Sequence, residues 1–153
     1  MKYPIGIQSF DQIIEDGYVY VDKTDLVYSL VKEGKIYFLS RPRRFGKSLL
    51  VSTLKNYFLG RKELFKGLAI DELEKDWLEY AVFHIDFNGS NFLKGGTLEN
   101  VIDSYISGWE KEYGIVEEEG TDRGIRFIRL LERVHLKTGR RVVVLIDEYD
   151  KPL

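Results

Sequence analysis

The segment Ser40-Arg41-Pro42-Arg43-Arg44-Phe45-Gly46-Lys47-Ser48 limits what this chain can fold into more than any other. Ahead of it, Ile36-Tyr37-Phe38-Leu39 is a short apolar run between Gly34 and Pro42, which suits a buried strand. Behind it, Leu49, Leu50, Leu54, Tyr57 and Phe58 recur at helical spacing from Lys47 to Leu59, and Gly60 stops the run. Strand, loop and helix in that order are the setting of the phosphate-binding pattern G-x-x-x-x-G-K-[ST]. Gly46, Lys47 and Ser48 match it, while Arg41 stands where the first glycine belongs. In such a loop, backbone N–H groups wrap phosphate oxygens at a helix N-terminus. Arg43, Arg44, Phe45, Gly46, Lys47, Ser48 and Leu49 are the candidates for that cradle. Lys47 would neutralise the β and γ phosphates, and the Ser48 hydroxyl would ligate Mg²⁺. Gly46 would let the backbone approach the phosphate closely. Taken alone, Gly-Lys-Ser is more often a glycine turn followed by a helix start.

A second motif narrows the choice. Val142–Ile146 is an apolar strand that ends in Asp147-Glu148. An aspartate at such a strand tip holds Mg²⁺, usually through water. A glutamate directly after it is where one large branch of P-loop ATPases keeps the base that polarises the attacking water, so Glu148 is the candidate general base. Asp150 is either a supporting carboxylate or a turn residue ahead of Pro152. Charged residues also cap exposed strand ends, but two such motifs in the right order seldom coincide by chance.

The remaining elements set the frame. Ser9 with Gln12 forms a capping box for a short helix ended by Gly17, and Tyr18–Val21 reads as extended. Thr24 caps a helix through Val31 that ends at Gly34, and Asp71 with Glu74 opens another through Trp77. Ala81–Phe87 is a strand, Asn88–Gly96 a loop, and Thr97 caps a helix to about Tyr113. Glu117-Glu118-Glu119-Gly120 reads as a solvated connector. Asp122–Lys137 is a helix with Ile125, Ile128, Leu131 and Val134 inward and Gly139 as its stop. Arg141–Asp147 is the most strand-like run. Strands separated by helices predict parallel pairing in one α/β domain over 1–153, a three-layer P-loop-type sheet flanked by helices. Ligands of such sheets sit at the carboxyl ends of the strands, where both motifs fall.

Composition excludes several classes. With 44% hydrophobic and 31% charged residues the chain is not a disordered one, and without cysteine it has neither disulfides nor thiolate metal sites. It offers neither a signal-peptide core nor about 18 consecutive apolar residues to span a membrane, so a cytoplasmic location is expected. Residues 1–70 hold 12 Lys/Arg against 7 Asp/Glu, while residues 71–153 hold 11 against 18. The positive excess is densest at Arg41, Arg43, Arg44 and Lys47, where it would meet phosphate, a polynucleotide or solvent. His84 and His135 lack ligand-like spacing, so both read as structural and no zinc is expected. Trp77, Trp109 and the tyrosines read as core. Asp86 ends its strand and is a weaker candidate for the site.

Tyr20-Val21-Asp22-Lys23-Thr24, Ser40–Leu49 and Leu145–Pro152, together with Pro4-Ile5-Gly6 and Phe10, resemble the bacterial and archaeal AAA-ATPase-like family from end to end. That family's loop regularly reads R-P-R-R-F-G-K-S, so the resemblance makes Arg41 a regular feature. It implies ATP binding, hydrolysis with Mg²⁺ when complete, and in larger members a following PD-(D/E)XK nuclease-like domain. Asp22-Lys23-Thr24 either lines the nucleotide pocket or serves as a helix cap. The chain ends at Leu153, six residues after Asp147, ahead of the strand that in this class lies between the phosphate-loop strand and the acid-tipped one. The domain is therefore expected to be incomplete at its C-terminus, with open sheet edges that favour self-association. A rival expectation is a nucleotide-regulated module that binds nucleic acid or a partner without its own turnover. A small-molecule kinase fits less well, since no acceptor-site or lid residues stand out.

Overall fold

The helix after the loop, the acid-tipped strand and that strand's partner all form within a residue or two of the predicted bounds. The computed structural model describes residues 1–34, 46–88 and 97–149. The predicted strand Ile36–Leu39, the cradle residues Arg43, Arg44 and Phe45, with Arg41, most of the Asn88–Gly96 loop, and Asp150 lie outside the described residues. The chain divides into two units, Met1–Glu79 and Tyr80–Leu153.

The first unit is helical: α1 (Phe10–Glu15), α2 (Thr24–Glu33), α3 (Lys47–Phe58), a 3₁₀ turn (Lys62–Phe65) and α4 (Ala69–Leu73). Its core is Phe10, Val27, Tyr57, Leu64, Phe65 and Ile70, with Leu50, Leu54 and Trp77 packed against it. The rings interlock, Phe10 on Phe65 at 4.7 Å and Phe65 on Trp77 at 5.1 Å between centroids. Gly60 ends α3 at φ +70°, and a Cβ there would stand 3.2 Å from the Trp77 carbonyl oxygen, so conformation and space both demand glycine.

Three predicted caps are built differently. Ser9 precedes α1, but its oxygen accepts no N–H of the first turn and so forms no cap; its hydroxyl donates to the Asp11 carboxylate. The Phe10 N–H instead donates to Ser52 Oγ of α3 at 2.8 Å. Thr24 is the first residue of α2 and not its cap; Asp22 takes its N–H and hydroxyl (2.9 and 2.6 Å). The helix predicted to open at Asp71 already runs from Ala69 and stops at Leu73. It cannot continue because Glu74 turns inward, 4% exposed, where Tyr57 Oη and the Asp76 N–H donate to it and Lys32 Nζ lies 3.3 Å away.

The second unit contains β1 (Val82–Asp86), α5 (Thr97–Glu112), α6 (Arg123–Thr138) and β2 (Val143–Asp147). The strands pair in parallel, which requires a crossover, and α5 and α6 lie between them in sequence. This is an α/β arrangement with a two-stranded sheet among the described residues. Phe83 stacks on Trp109 at 4.2 Å and packs with Ile106, Leu130 and Val134. Asp122 caps α6 by accepting the N–H groups of Gly124 and Ile125, and Gly139 ends it at φ +70°.

Two readings of this unit change. The inward face of α6 is Phe127, Leu130, Leu131 and Val134, whereas Ile125 and Ile128 are 46% and 57% exposed. Both sets follow helical spacing; the first wins because it adds a phenylalanine and meets α5's Ile102, Ile106 and Trp109. The acidic connector is not wholly solvated: the Glu117 side chain is 6% exposed and lies 3.1 Å from Arg129 and 2.9 Å from Arg133. Like-charged neighbours at 118 and 119 hide that one partner set from a reading by composition.

Candidate functional site

The phosphate-loop candidates that the structure describes are Gly46, Lys47, Ser48 and Leu49, and they open α3 directly. Gly46 has φ +80° and ψ 13°, a left-handed conformation that admits glycine far more readily than any residue with a Cβ. No described atom lies within 4 Å of where a Cβ would stand at Gly46, so its backbone angle is what demands glycine in this structure. Its carbonyl accepts the Leu50 N–H at 3.0 Å, which makes Lys47, Ser48 and Leu49 the first turn. First-turn N–H groups have no carbonyl four residues back within the helix, and the helix dipole adds positive potential there. α3 is anchored from behind by the Phe10–Ser52 bond, and within the helix Thr53 Oγ1 donates to the Leu49 carbonyl at 2.8 Å.

Asp147 is the last residue of β2 and is 5% exposed. Its carbonyl accepts the Phe87 N–H at 3.3 Å, and its Oδ1 accepts the Glu148 N–H at 2.9 Å. Glu148 stands at φ +55°, an uncommon conformation for a residue with a Cβ. The register sets Asp86 directly opposite Asp147. Both strands end in Ile-Asp, the sequence signal that could have raised Asp86 above a weak candidate. Asp86 is fixed by its own loop and by α5: its Oδ1 accepts the Asn88 N–H at 2.8 Å, and the Tyr105 hydroxyl brackets its N–H and carbonyl at 3.2 Å each.

Among the described residues no group of three or more His, Asp or Glu side chains is arranged to hold a metal. Each on its own unit, the Ser48 hydroxyl and the buried Asp147 carboxylate are hard oxygens, the donor type that Mg²⁺ takes.

Asp22-Lys23-Thr24 has a structural task. Asp22 Oδ2 accepts the Ala69 N–H at 2.7 Å, and the fully buried Thr24 Oγ1 accepts the Ile70 N–H at 3.1 Å. The motif thus caps α4 with side chains that precede α2. Burial works against ionisation of Asp22, but the Thr24 hydroxyl and the two N–H groups outweigh it and hold the carboxyl below its usual range.

The family model described as Predicted AAA-ATPase matches residues 4–153, so the chain belongs to the AAA-ATPase-like family. It is 44% identical over 99% of its length to an Azotobacter chroococcum mcd 1 protein described as "Uncharacterized protein in vnfD 5'region". It is 28% identical over 74% of its length to a Campylobacter jejuni protein named ATP-dependent DNA helicase Pif1. The chain spans 30% and 28% of the lengths of these two relatives. No solved structure matches. No described helix is long and apolar enough to cross a membrane.

Proposed function

We propose that the chain is the ATP-binding module of an AAA-like P-loop ATPase, a single domain over 1–153 that hydrolyses ATP with Mg²⁺ when complete. The observation that carries this reading is α3 opening off a left-handed Gly46 with Lys47 and Ser48 in its first turn, in a chain of the AAA-ATPase-like family. In this reading 43–49 cradle the phosphates through backbone N–H groups, and Lys47 places its charge on the β and γ phosphates. Ser48 directly and Asp147 through water would hold Mg²⁺, which would supply neutralisation of charge on the phosphates. Glu148 accepts a proton from the attacking water. The two-stranded parallel sheet supports a larger P-loop-type sheet of three layers. The location proposed is cytoplasmic. Glu148→Gln is expected to retain ATP affinity and to lose phosphate release at least about 100-fold in a form that turns over; unchanged release would remove Glu148 from the mechanism.

A second reading rests on the Arg41–Arg44 cluster and the likeness to a protein named a DNA helicase: nucleotide would regulate binding of nucleic acid or of a nuclease-like partner domain. Salt-sensitive DNA binding that persists without nucleotide would favour it. Among the described residues β1 and β2 each pair on one side only, which supports self-association through open sheet edges. Light scattering across a dilution series should then show concentration-dependent mass, and a strict monomer would exclude this.

A further inference from the structure

We propose that the outer face of α6 is a self-complementary surface on which a second copy of this chain docks, the two α6 helices running antiparallel. α6 is apolar on two sides. Leu130 and Val134 are fully buried, and Phe127 and Leu131 pack with them. On the opposite side Ile125 and Ile128 are exposed and Leu136 is 80% exposed, with the exposed Glu132 among them. At about 100° per residue these four fall within about 80° of one another, so they form one stripe along the helix. A helix that is apolar on opposite sides needs a cover on both.

The charges in and beside the stripe point to what covers it. Arg129 and Arg133 border it on one side, with side chains 47% and 43% exposed. Both already lie on Glu117, at 3.1 and 2.9 Å, which weakens their attraction for a polyanion. Glu132 stands in the stripe itself, where a carboxylate repels nucleic acid or an anionic membrane and favours a partner that brings a cation. This chain carries that cation at the matching place. With a two-fold axis passing between residues 130 and 131, Arg129 comes level with Glu132 of the second copy and Ile125 with its Leu136, each pair occurring twice. The contact of Arg129 with Glu117 uses Nη1, which leaves Nε and Nη2 to meet that Glu132. The two Ile128 side chains flank the axis. Such an interface closes at two copies and leaves the sheet edges out. A contact of two helices lies at the small end of stable interfaces, so the expected Kd is about 10–100 µM.

The chain has no cysteine, so the register can be tested by introduced thiols. Ile125→Cys and Leu136→Cys, prepared singly, are mixed in equal amounts at about 200 µM, above the expected Kd, in a glutathione redox buffer. Antiparallel docking brings each thiol level with the other and sets like thiols about 16 Å apart along the axis. Mixed disulfide dimers should then exceed either like-with-like dimer at least about fivefold, and the statistical excess of about twofold would overturn the register. In the cysteine-free chain, sedimentation equilibrium should find reversible dimers that Glu132→Arg and Leu136→Ser each weaken at least about tenfold. Both positions are exposed, so the Tm at low protein concentration should stay unchanged. A monomer up to about 0.5 mM would overturn the proposal and leave the stripe to a different macromolecule. Association that neither substitution weakens would overturn it too, and would place self-association elsewhere, at the sheet edges.

Discussion

Removing the Asp22 carboxylate separates a structural role for Asp22-Lys23-Thr24 from a role in the pocket. In Asp22→Ala the Thr24 N–H, the Thr24 hydroxyl and the Ala69 N–H lose their acceptor (2.9, 2.6 and 2.7 Å). Ala69 is exposed, so water replaces that bond and the loss there is small. Thr24 is fully buried, and stranding its hydroxyl costs about 1–3 kcal/mol. Adding about 1 kcal/mol for the loss of a helix cap, the total is about 2–4 kcal/mol. For a chain of 153 residues that corresponds to a fall in Tm of about 4–16 °C. Thr24→Val tests the other half of the clamp, since it leaves the buried Ile70 N–H without its acceptor. The double variant should cost less than the two single losses summed, because they share the Asp22–Thr24 bond. Thermal unfolding by circular dichroism measures the stability. Calorimetry with ATP, at a temperature where the variants stay folded, should find affinity within about twofold of wild type. A tenfold or greater loss of ATP affinity with Tm changed by less than about 1 °C would refute the clamp and put Asp22 in the pocket.

Two further outcomes follow from the packing and the buried charges. Leu130→Ala should cost about 2–5 kcal/mol, whereas Ile128→Ser should change stability by less than about 0.5 kcal/mol; comparable losses in urea unfolding would restore the original face of α6. Burial disfavours the charge on Glu74, but Tyr57, the Asp76 N–H and Lys32 outweigh it and hold its carboxyl below the ordinary 4.5. A depressed carboxyl contributes stability that is complete above its ordinary value and is lost as the pH falls through its folded value. Wild type should therefore lose more stability than Glu74→Gln as the pH is lowered from about 5 toward 3. Parallel Tm curves for the two would contradict this network.

The elements with one possible reading were legible in the sequence. Val143–Asp147 is apolar, β-branched and acid-tipped, and α3 has a glycine at each end with apolar residues at helical spacing between them. Where local and distant partners compete, the sequence was ambiguous. Ser9 has the residue type of a cap for α1, but only three-dimensional packing brings Ser52 to the Phe10 N–H. Asp22 lies 47 residues from Ala69, so no local pattern reveals that it caps α4. Glu117 looked like its neighbours because the two arginines that hold it come a helix later. The alignment of Asp86 with Asp147 depends on strand register, which two separate strands do not announce beyond their shared Ile-Asp ending. The left-handed backbone at Glu148 has no sequence signature, because glutamate is not a residue one assigns to that region.

The central claim is that the segment opening α3 binds nucleotide phosphates, and titration calorimetry of ATP with Mg²⁺ against wild type and Lys47→Ala tests it most directly. Loss of a charge-assisted contact to phosphate predicts affinity weakened about 10- to 100-fold, with the Tm of the unliganded protein little changed because Lys47 lies outside both buried cores. Equal ATP affinity in wild type and Lys47→Ala would contradict the account.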